Sequence, residues 1–452
     1  MDNISKEIKK AIDIAKKVNE AGGKAYYVGG YVRDLLLGIE NKDIDIEIHG
    51  ITPNQLENIL DSLGKRIEIG ESFGIYAIKG FNIDIAMPRK EKQIGYGHKD
   101  FDIIVDPYIG TYEAAKRRDF TINSIYKDIL SNEIIDHFNG VKDLNEKIIR
   151  FVDKETFKDD PLRVLRACQF SSRFNFKISE ETMNICKDID ITTLSKERIE
   201  GELKKALLKA SKPSIFFNNL REMEQLDFWF KELKDIIGIE QNPKYHLEGD
   251  VWNHTMMVLD EGAKKRKVVK EPYMFMLSCL VHDLGKAVST QIINGIIRSF
   301  GHEYKGVELV KSLIKRITNE NKVLDYTVNM TELHMKPHSL IASSSSIKAY
   351  SKMFDLSIEP IDLIYLSICD CLGKVSEIEY ISKEDILFKF LDIYNEYMSR
   401  PYVTGKDLIE YGLIPNKSFK EALNFSHKLR LSGIKKEQAL KETIAYYNKI
   451  NK

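Results

Sequence analysis

A strictly alternating stretch, DIDIEIHG at residues 43–50, constrains the fold of this chain more than any other segment. Its isoleucines occupy one face while Asp43, Asp45 and Glu47 occupy the other, which is the two-residue period of a half-buried β-strand. The helical pattern VRDLLLG precedes it, and GIYAIKG and FNIDIAM follow with the alternation of an antiparallel pair. The first 150 residues therefore predict a small mixed sheet with helices.

The remainder of the chain has a different period. Beyond residue 155 apolar residues recur at helical spacing almost to the end, so we expect an α+β protein with a mixed-sheet head followed by helical domains. The 452 residues allow two to four domains, and Pro243 and Pro401 mark candidate boundaries. The predicted domains are 1–150, 151–240, 241–395 and 396–452.

Composition excludes several classes of protein. The 68 Lys and Arg balance 68 Asp and Glu, which argues against a non-specific nucleic-acid coat but leaves a local basic face open. The five cysteines lack the paired spacing of a zinc site, so we expect reduced, structural thiols. The start MDNISKEIKK has no apolar signal core, and no apolar run approaches the roughly 18 residues of a membrane helix. We therefore expect a soluble cytoplasmic protein without a membrane partner.

Two carboxylates on one strand face repel each other, so Asp43 and Asp45 need a cation or water between them. Mg²⁺ fits, because it prefers oxygen ligands and is commonly held by carboxylates together with substrate phosphates. Asp84 in FNIDIAM is a candidate third carboxylate on a neighbouring strand, and three such groups suit a two-metal displacement. The alternative is a solvated strand face with an exposed Asp84.

A glycine pair precedes the first helix of this region. Gly29 and Gly30 open a helix that carries Arg33, so backbone N–H groups, a helix N-terminus and a guanidinium are predicted to converge on a triphosphate.

Five motifs in order resemble the class II tRNA nucleotidyltransferase and bacterial poly(A) polymerase family, within the DNA polymerase β superfamily. The first is GGYVRDLLLG with KDIDIEIHG, the second KRRDFTINS at 116–124 and the third DHFNGVKDL at 136–144. The fourth is KDDPLRVLRACQFSSRF at 158–174, and the fifth ERIEGELKKAL at 197–207. The resemblance covers residues 25–210 and implies a polymerase-β-like catalytic head and a helical neck.

The fourth motif also has a physical interpretation. Asp160 and Pro161 suit a helix start, and Arg163 and Arg166 follow three residues apart on one face. Cytosine and adenine present an amino donor beside a ring-nitrogen acceptor, which an Asp/Arg pair complements, whereas uracil and guanine present the opposite pattern. The resemblance implies base reading by Asp160 and Arg163, with Arg166 near the phosphates; a capping Asp with solvated arginines is the alternative. Asp159 stands where many relatives have Glu.

In the second motif the resemblance implies that Arg118 meets the triphosphate and that Asp119 meets the ribose or the template helix. A surface ion pair is the alternative. The segment PRKEKQIGYGHKDFDIIVDPY resembles the flexible loop that helps the pocket change from C to A, although Gly95 and Gly97 also suit an ordinary surface loop.

A second constellation follows in HLEGDVWNHTMMVLD, LVHDLGKA, GHEYKGVELV and LSICDCLGK. The order His254, His282 with Asp283, and Asp370 resembles the HD phosphohydrolase superfamily, in which imidazoles and carboxylates of separate helices enclose a divalent transition metal. Adjacent residues on a helix point about 100° apart, so His282 and Asp283 reach one ion only at a helix edge that lines a cavity. His302 is a candidate for a second metal or a phosphate.

The other histidines are weaker candidates. His246 is a possible cap of the site. His334 and His338 are separated by Pro337, so we expect a loop rather than a ligand pair. Packing or surface roles are expected for the rest, which are His49, His137 and His427.

The resemblance implies template-independent addition of CMP and AMP to the tRNA 3′ end, with Mg²⁺, CTP and ATP. It also implies a phosphohydrolase acting on 2′,3′-cyclic or terminal phosphates, with a degenerate tRNA-binding scaffold as the alternative. Rival functions are a poly(A) polymerase, a CC-only or A-only enzyme, a hydrolase, and a non-catalytic tRNA-binding protein. Residues 402–452 resemble the helical tail of this family and suit a phosphate-tracking surface or a solvated hairpin. The sequence leaves monomer and dimer open.

Overall fold

The computed structural model describes residues 2–68, 74–93, 101–375 and 384–451. The chain divides into two compact units, Met1–Leu194 with Glu222–Glu224, and Ser195–Arg221 with Gln225–Lys452. The four domains expected from the sequence stay a prediction. The five cysteines are free thiols, as expected. Among the described residues, no helix combines the length and the apolar character needed to cross a bilayer.

The first unit contains a mixed sheet, which confirms the head of an α+β fold. Its strands are β1 Lys24–Tyr27, β2 Ile44–His49, β3 Arg66–Glu68, β4 Ile75–Ile78, β5 Ile83–Ala86, β6 Arg89–Gln93, β7 Phe101–Val105, β8 Tyr126–Asp128, β9 Ile134–Ile135, β10 Ile148–Ile149 and β11 Lys177–Ile178. The main sheet has the order β3-β4-β5-β2-β1-β8-β9, while β6 pairs with β7 and β10 with β11. Gly95 and Gly97 of the predicted loop lie outside the described residues.

The register of this sheet positions the carboxylates. Strands β2 and β5 are parallel, and Asp45 lies directly beside Asp84. The isoleucines of β2 are at most 2% exposed, so they fix which face of the strand is buried. The prediction that Asp84 joins the first carboxylates on a neighbouring strand is confirmed, as is the antiparallel pairing of β4 with β5.

Helices cover the sheet and then continue the first unit. They are α1 Asp2–Glu20, α2 Gly29–Leu36, α3 Pro53–Leu63, α4 Gly110–Lys116, α5 Gly140–Glu146, α6 Lys154–Phe157, α7 Leu162–Phe174 and α8 Glu180–Lys187, with a 3₁₀ turn at Thr121–Asn123. The α3 helix begins with a capping box of Thr52 and Gln55, with Pro53 in its first turn.

The second unit is almost entirely helical, as the sequence predicts. Its helices are α9 Lys196–Lys209, α10 Ser214–Glu222, α11 Lys231–Lys234, α12 Val251–Lys265, α13 Pro272–Val281, α14 Lys286–Ser289, α15 His302–Lys305, α16 Val307–Ile317, α17 Asn321–Leu333, α18 Lys336–Ala342, α19 Ile347–Leu356, α20 Pro360–Leu372, α21 Glu384–Ser399, α22 Gly405–Glu410, α23 Ser418–Arg430 and α24 Lys436–Ile450. The exception is a hairpin that the sequence analysis missed, β12 Gln291–Ile293 with β13 Ile296–Arg298.

Candidate functional sites

Three carboxylates lie on or directly before two adjacent interior strands of the first unit's sheet, β2 and β5. Asp43 precedes β2, is exposed, and accepts a hydrogen bond from Asn82 Nδ2, while Asp84 is exposed on β5. Asp45 is half-buried between them. Burial raises the pKa of Asp45 to about 6, and the charges of Asp84 and Asp43 act in the same direction against Arg118. A divalent cation would relieve this crowding of negative charge, so the donor set suits a metal with oxygen ligands.

The turn between β1 and α2 faces the same carboxylates. Gly29 opens α2 with a φ of +63°, a conformation that favours glycine. A Cβ atom there would lie 3.2 Å from Arg118 Nη1 and 3.6 Å from Asp45 Oδ2, and one at Gly30 would lie 3.4 Å from Arg33 Nη2. The two glycines therefore let the backbone approach both a carboxylate and a guanidinium closely.

Arg118 is held in place by Glu47, the second acidic residue of β2. Its Nη2 donates to Glu47 Oε2 at 2.9 Å, while Glu47 Oε1 contacts the Tyr126 hydroxyl and His49 Nε2, each at 2.8 Å. Burial alone would raise the pKa of Glu47, but Arg118 and the bond from His49 outweigh it and lower the pKa to about 2. Glu47 is thus an anchor for Arg118, a role that the sequence analysis missed.

Arg33, expected near phosphates, is enclosed by the protein. Its Nε and Nη2 donate to Asp34 Oδ1 at 2.8 and 2.6 Å, and Nη1 donates to Asn123 Oδ1 at 2.7 Å. The guanidinium also lies 4.7 Å from the ring centroid of Phe174 and 5.2 Å from that of Phe170. These contacts tie α2 to the 3₁₀ turn and to α7, and a phosphate contact by Arg33 stays a prediction.

Asp119 connects the second motif to α7. Its Oδ2 accepts hydrogen bonds from Nε and Nη2 of Arg166 at 2.7 and 2.6 Å, and its Oδ1 accepts from Asn123 Nδ2 at 2.9 Å. Asp119 therefore contacts α7, the helix of the fourth motif, and a ribose contact stays a prediction. Arg166 is therefore tied to a carboxylate in this conformation.

The start of α7 positions the two residues expected to read the base. Asp160 Oδ1 accepts a hydrogen bond from the Leu162 N–H at 3.0 Å, so the predicted helix start at this segment is present. Arg163 donates from Nη1 to Thr156 O at 2.6 Å and from Nη2 to Arg117 O at 2.7 Å. Two backbone carbonyls thus fix the plane of the Arg163 guanidinium.

In the second unit, residues of three helical segments converge on Asp283. His254 of α12 places Nε2 3.4 Å from Asp283 Oδ2 and 3.1 Å from Oδ1 of Asp370, which lies on α20. His282, directly after α13, places Nε2 3.3 Å from Asp283 Oδ2. All four residues are buried. The HD resemblance therefore corresponds to a real cluster.

Two further histidines face the other oxygen of Asp283. His302 Nε2 lies 3.2 Å and His334 Nε2 3.7 Å from Asp283 Oδ1, and the two Nε2 atoms are 3.1 Å apart. His334 lies in the turn between α17 and α18, as expected, but its side chain reaches the cluster, which the sequence analysis did not expect. Pro337 lies in the first turn of α18, where its missing N–H removes no helical bond, and the change of direction after α17 brings His334 inward. His338 also joins the site, 3.2 Å from Asp370 Oδ2.

The histidine rings are oriented by backbone carbonyl groups. Nδ1 of His282 lies 3.0 Å from Cys279 O, that of His302 2.9 Å from Ser299 O, and that of His334 2.6 Å from Thr331 O. A carbonyl oxygen accepts and cannot donate, so Nδ1 carries the proton and Nε2 keeps its lone pair.

The other ring nitrogen, Nε2, has the geometry of a metal ligand in two histidines of the cluster. Among the described residues, Nε2 of His254 and of His282 is buried without a hydrogen-bond partner. Buried polar atoms are normally satisfied, and these two are the atoms with which a neutral imidazole binds a metal. His254, His282 and Asp370 form one group able to hold an ion, and Asp283, His302 and His334 form another.

Charged side chains surround this cluster. Lys286 Nζ lies 2.7 Å from Asp283 Oδ2, and Lys374 Nζ lies 2.9 Å from Asp370 Oδ1. Glu248 Oε1 lies 3.3 Å from Nδ1 of His254 and 2.7 Å from Nδ1 of His246. His246 therefore reaches the cluster through Glu248, which sequence reasoning did not identify.

Comparison with known proteins agrees with both units. Residues 25–150 match the poly A polymerase head domain family. The chain is 36% identical over 322 residues to the multifunctional CCA protein of Methylobacillus flagellatus, which covers 70% of this chain and 75% of that protein.

Solved structures share the fold over nearly the whole chain. A CCA-adding enzyme in complex with ATP has a TM-score of 0.66 at 21% identity, covering 96% of this chain and 92% of the other. The Thermotoga maritima CCA-adding enzyme complexed with tRNA has a TM-score of 0.62 at 20% identity and covers 98% of each chain. At these identities the likeness is one of fold.

Proposed function

The chain belongs to the family of multifunctional CCA proteins, and from that membership we propose that it adds CMP and AMP to the 3′ end of tRNA. CTP and ATP are the donors, and no nucleic-acid template is required. The observation that carries the proposal is the meeting of Asp45, Asp84, Gly29 and Arg118 around the adjacent interior strands β2 and β5. Nucleotidyl transfer from a triphosphate needs carboxylates for the metal, a backbone that approaches the phosphates closely, and a guanidinium.

Asp43, Asp45 and Asp84 are the residues we assign to Mg²⁺. When bound, Mg²⁺ activates the attacking 3′-hydroxyl and supports the leaving pyrophosphate. Asp84 is exposed and is positioned to accept the proton of that hydroxyl. The N–H groups of Gly29 and Gly30, together with Arg118, hold the triphosphate so that its α-phosphorus faces the hydroxyl.

Base choice follows from α7. The Asp160 carboxylate accepts from the amino group of cytosine or adenine, and Arg163 donates to the ring nitrogen beside it. The two carbonyl bonds of Arg163 support this assignment, because a guanidinium fixed in its plane presents donors in a defined direction.

Product sequencing tests the proposal and separates it from its rivals. A tRNA lacking its CCA end is incubated with CTP alone, ATP alone and both. CC followed by A supports CCA addition; a long A tail identifies a poly(A) polymerase, and CC or A alone identifies a partial enzyme. Asp43→Ala abolishes transfer, and undiminished CMP incorporation by that variant contradicts the assignment. Unchanged rejection of UTP by Arg163→Ala contradicts the base-reading role.

We further propose a metal-dependent phosphohydrolase in the second unit, acting on 2′,3′-cyclic or terminal phosphates of RNA ends. The observation that favours it is Asp283, whose two oxygens face separate groups of imidazoles. His254, His282 and Asp370 would hold one divalent transition metal and His302 with His334 a second, since imidazole ligands suit such metals. A bound metal supplies a nucleophilic water at neutral pH. Lys286 and Lys374 are positioned to receive phosphate oxygens.

Hydrolysis of cytidine 2′,3′-cyclic phosphate with Ni²⁺, Co²⁺, Mn²⁺ or Zn²⁺ tests this activity. Turnover that requires metal and disappears in Asp283→Asn supports it. A protein that binds none of these ions is instead a degenerate tRNA-binding scaffold.

The remaining assignments also belong to the proposal. We assign residues 1–150 to the head, 151–240 to the neck, 241–395 to the HD domain and 396–452 to the tail. Free cysteines agree with a reducing compartment, so we place the enzyme in the cytoplasm.

A further inference from the structure

A short β-hairpin leads directly into the histidine cluster. Its strands, β12 and β13, are joined by Asn294 and Gly295, whose φ values of +52° and +75° match the two-residue turn that suits the twist of paired strands. At its base, the Thr290 and Ser299 hydroxyls lie 2.8 Å apart and close the hairpin. The segment is therefore a defined surface rather than a loose loop.

The end of this hairpin is continuous with the metal centre. Ser299 O accepts the hydrogen bond that orients His302, and Gly301, with a φ of +70°, turns the chain into α15 at His302. Phe300 lies between them. Its Cα is at most about 7 Å from that of His302, since two residues span no more than this.

Aromatic side chains on both sides of His302 face solvent. Phe300 is 62% exposed and Tyr304 is 58% exposed, while His302 itself is buried. The guanidinium of Arg298 lies 5.4 Å from the centroid of the Phe300 ring. Single exposed aromatics are common on protein surfaces, but these two lie within two residues of a buried candidate ligand and so place aromatic surface beside the cluster.

The net charge around these two aromatic side chains is positive. Arg298 and Lys305 carry positive charge on either side of Phe300 and Tyr304, and Glu303 is the one acidic residue between them. An anionic aromatic partner complements such a surface.

We propose that Phe300, Tyr304 and Arg298 form a stacking site for the base of a 3′-terminal RNA nucleotide whose phosphate reaches the metal centre. The proposal rests on the phosphohydrolase function proposed above and defines its substrate class. Every nucleobase has a π-face, so stacking on aromatics and Arg accepts any base. The site therefore separates nucleotides from base-free phosphate esters but does not select one nucleotide, which suits the trimming of RNA ends of varied sequence.

The test compares substrates with and without a base. Wild type, Phe300→Ala, Tyr304→Ala and the double variant are assayed on cytidine and adenosine 2′,3′-cyclic phosphates and on glycerol 1,2-cyclic phosphate. We expect KM for both nucleotides to rise about tenfold per lost ring, the scale of one base–aromatic stack, with glycerol cyclic phosphate unaffected. Phe300→Trp retains a ring and should restore the wild-type KM. Phe228→Ala removes another exposed phenylalanine of the same unit and serves as the control.

The outcomes separate the two proposals. Equal effects on all three substrates, or no effect, overturn the stacking site. If wild type hydrolyses none of them, the phosphohydrolase function fails, and calorimetric binding of cytidine 3′-monophosphate then decides the inference: equal affinity in wild type and the double variant overturns it. A change of oligomeric mass in sedimentation, with unchanged nucleotide KM, identifies the hairpin as an interface between copies and also overturns it.

Discussion

The two candidate sites collect cation ligands in opposite ways. In the first unit the carboxylates lie on or directly before β2 and β5, with Asp43 and Asp84 exposed and Asp45 half-buried. In the second unit the imidazoles and Asp283 are buried, and backbone carbonyls orient the rings. A set of exposed carboxylates suits an ion that arrives with its substrate, because Mg²⁺ keeps several waters and binds through phosphates. An enclosed, pre-oriented imidazole cluster suits a resident metal.

Reciprocal variants test this separation with the largest expected effect. Asp45→Asn should lower CMP incorporation by at least about 1,000-fold, because carboxylate support of the metal is worth several kcal/mol, and leave phosphate-ester hydrolysis unchanged. Asp283→Asn should do the reverse. Both activities are measured on the same preparations. Because the charge on Asp45 is disfavoured in the metal-free protein, its loss should not lower the melting temperature. If either variant loses both activities while remaining folded, the two sites are not independent.

Metal removal should affect the units differently. After treatment with a chelator and desalting, we expect Mg²⁺ to restore nucleotidyl transfer fully and at once. Hydrolysis should return only with a transition metal, because imidazole-rich sites select such ions. Metal analysis before treatment should find the transition metal in the isolated protein, and its absence there would contradict a resident site. Metal analysis of Asp283→Asn provides the control.

Much of this comparison could be predicted from sequence, and the failures have physical causes. Alternation fixed the faces of β2, and Asp84 followed because its own strand alternates in the same way. The ion pair of Glu47 with Arg118 could not be predicted from the sequence, because 71 residues separate the two and no local pattern indicates it. For His334, the break at Pro337 was recognised correctly, but a break between helices can aim a histidine inward as well as outward.

For the buried cluster, we predict that Glu248 contributes to metal affinity. Its Oε1 lies 3.3 Å from Nδ1 of His254, on the side of the ring away from Asp370, so it orients that ring. Glu248→Gln preserves the size of the side chain and should weaken transition-metal binding by about 10- to 100-fold, the usual effect of losing an outer-shell partner. Competition with a chromophoric chelator measures it. An unchanged metal affinity would remove Glu248 from the site.

At the exposed carboxylates of the first unit, Glu47 plays the corresponding role. There we expect the substitution to change nucleotide binding instead of metal binding. Glu47→Gln removes the charge that holds Arg118, so we expect about a tenfold rise in KM for CTP, comparable to the loss of one charged hydrogen bond. Binding of CMP, which lacks the β- and γ-phosphates, should not change. Tyr126→Phe removes a neutral bond to the same carboxylate and should have a smaller effect. Equal losses for CTP and CMP would indicate general damage to the head.

Lowering the pH should have the smallest effect on metal binding, and the effect should differ between the two sites. Burial raises the pKa of Asp45 to about 6, so protons compete with Mg²⁺ near that pH. From pH 7.5 to pH 6 the ionised fraction of Asp45 falls by about half, and the half-saturating Mg²⁺ concentration should rise about twofold. In the second unit, burial would lower the pKa of His254, but the carboxylates of Asp370 and Glu248 beside its ring raise it. Under acidic conditions several imidazoles there must lose protons for one metal to bind, so metal affinity should fall more steeply as the pH is lowered. Calorimetric titrations at both pH values measure how the affinity of each site for its metal depends on pH. Equal pH dependence would contradict the distinction between exposed carboxylates and an imidazole cluster.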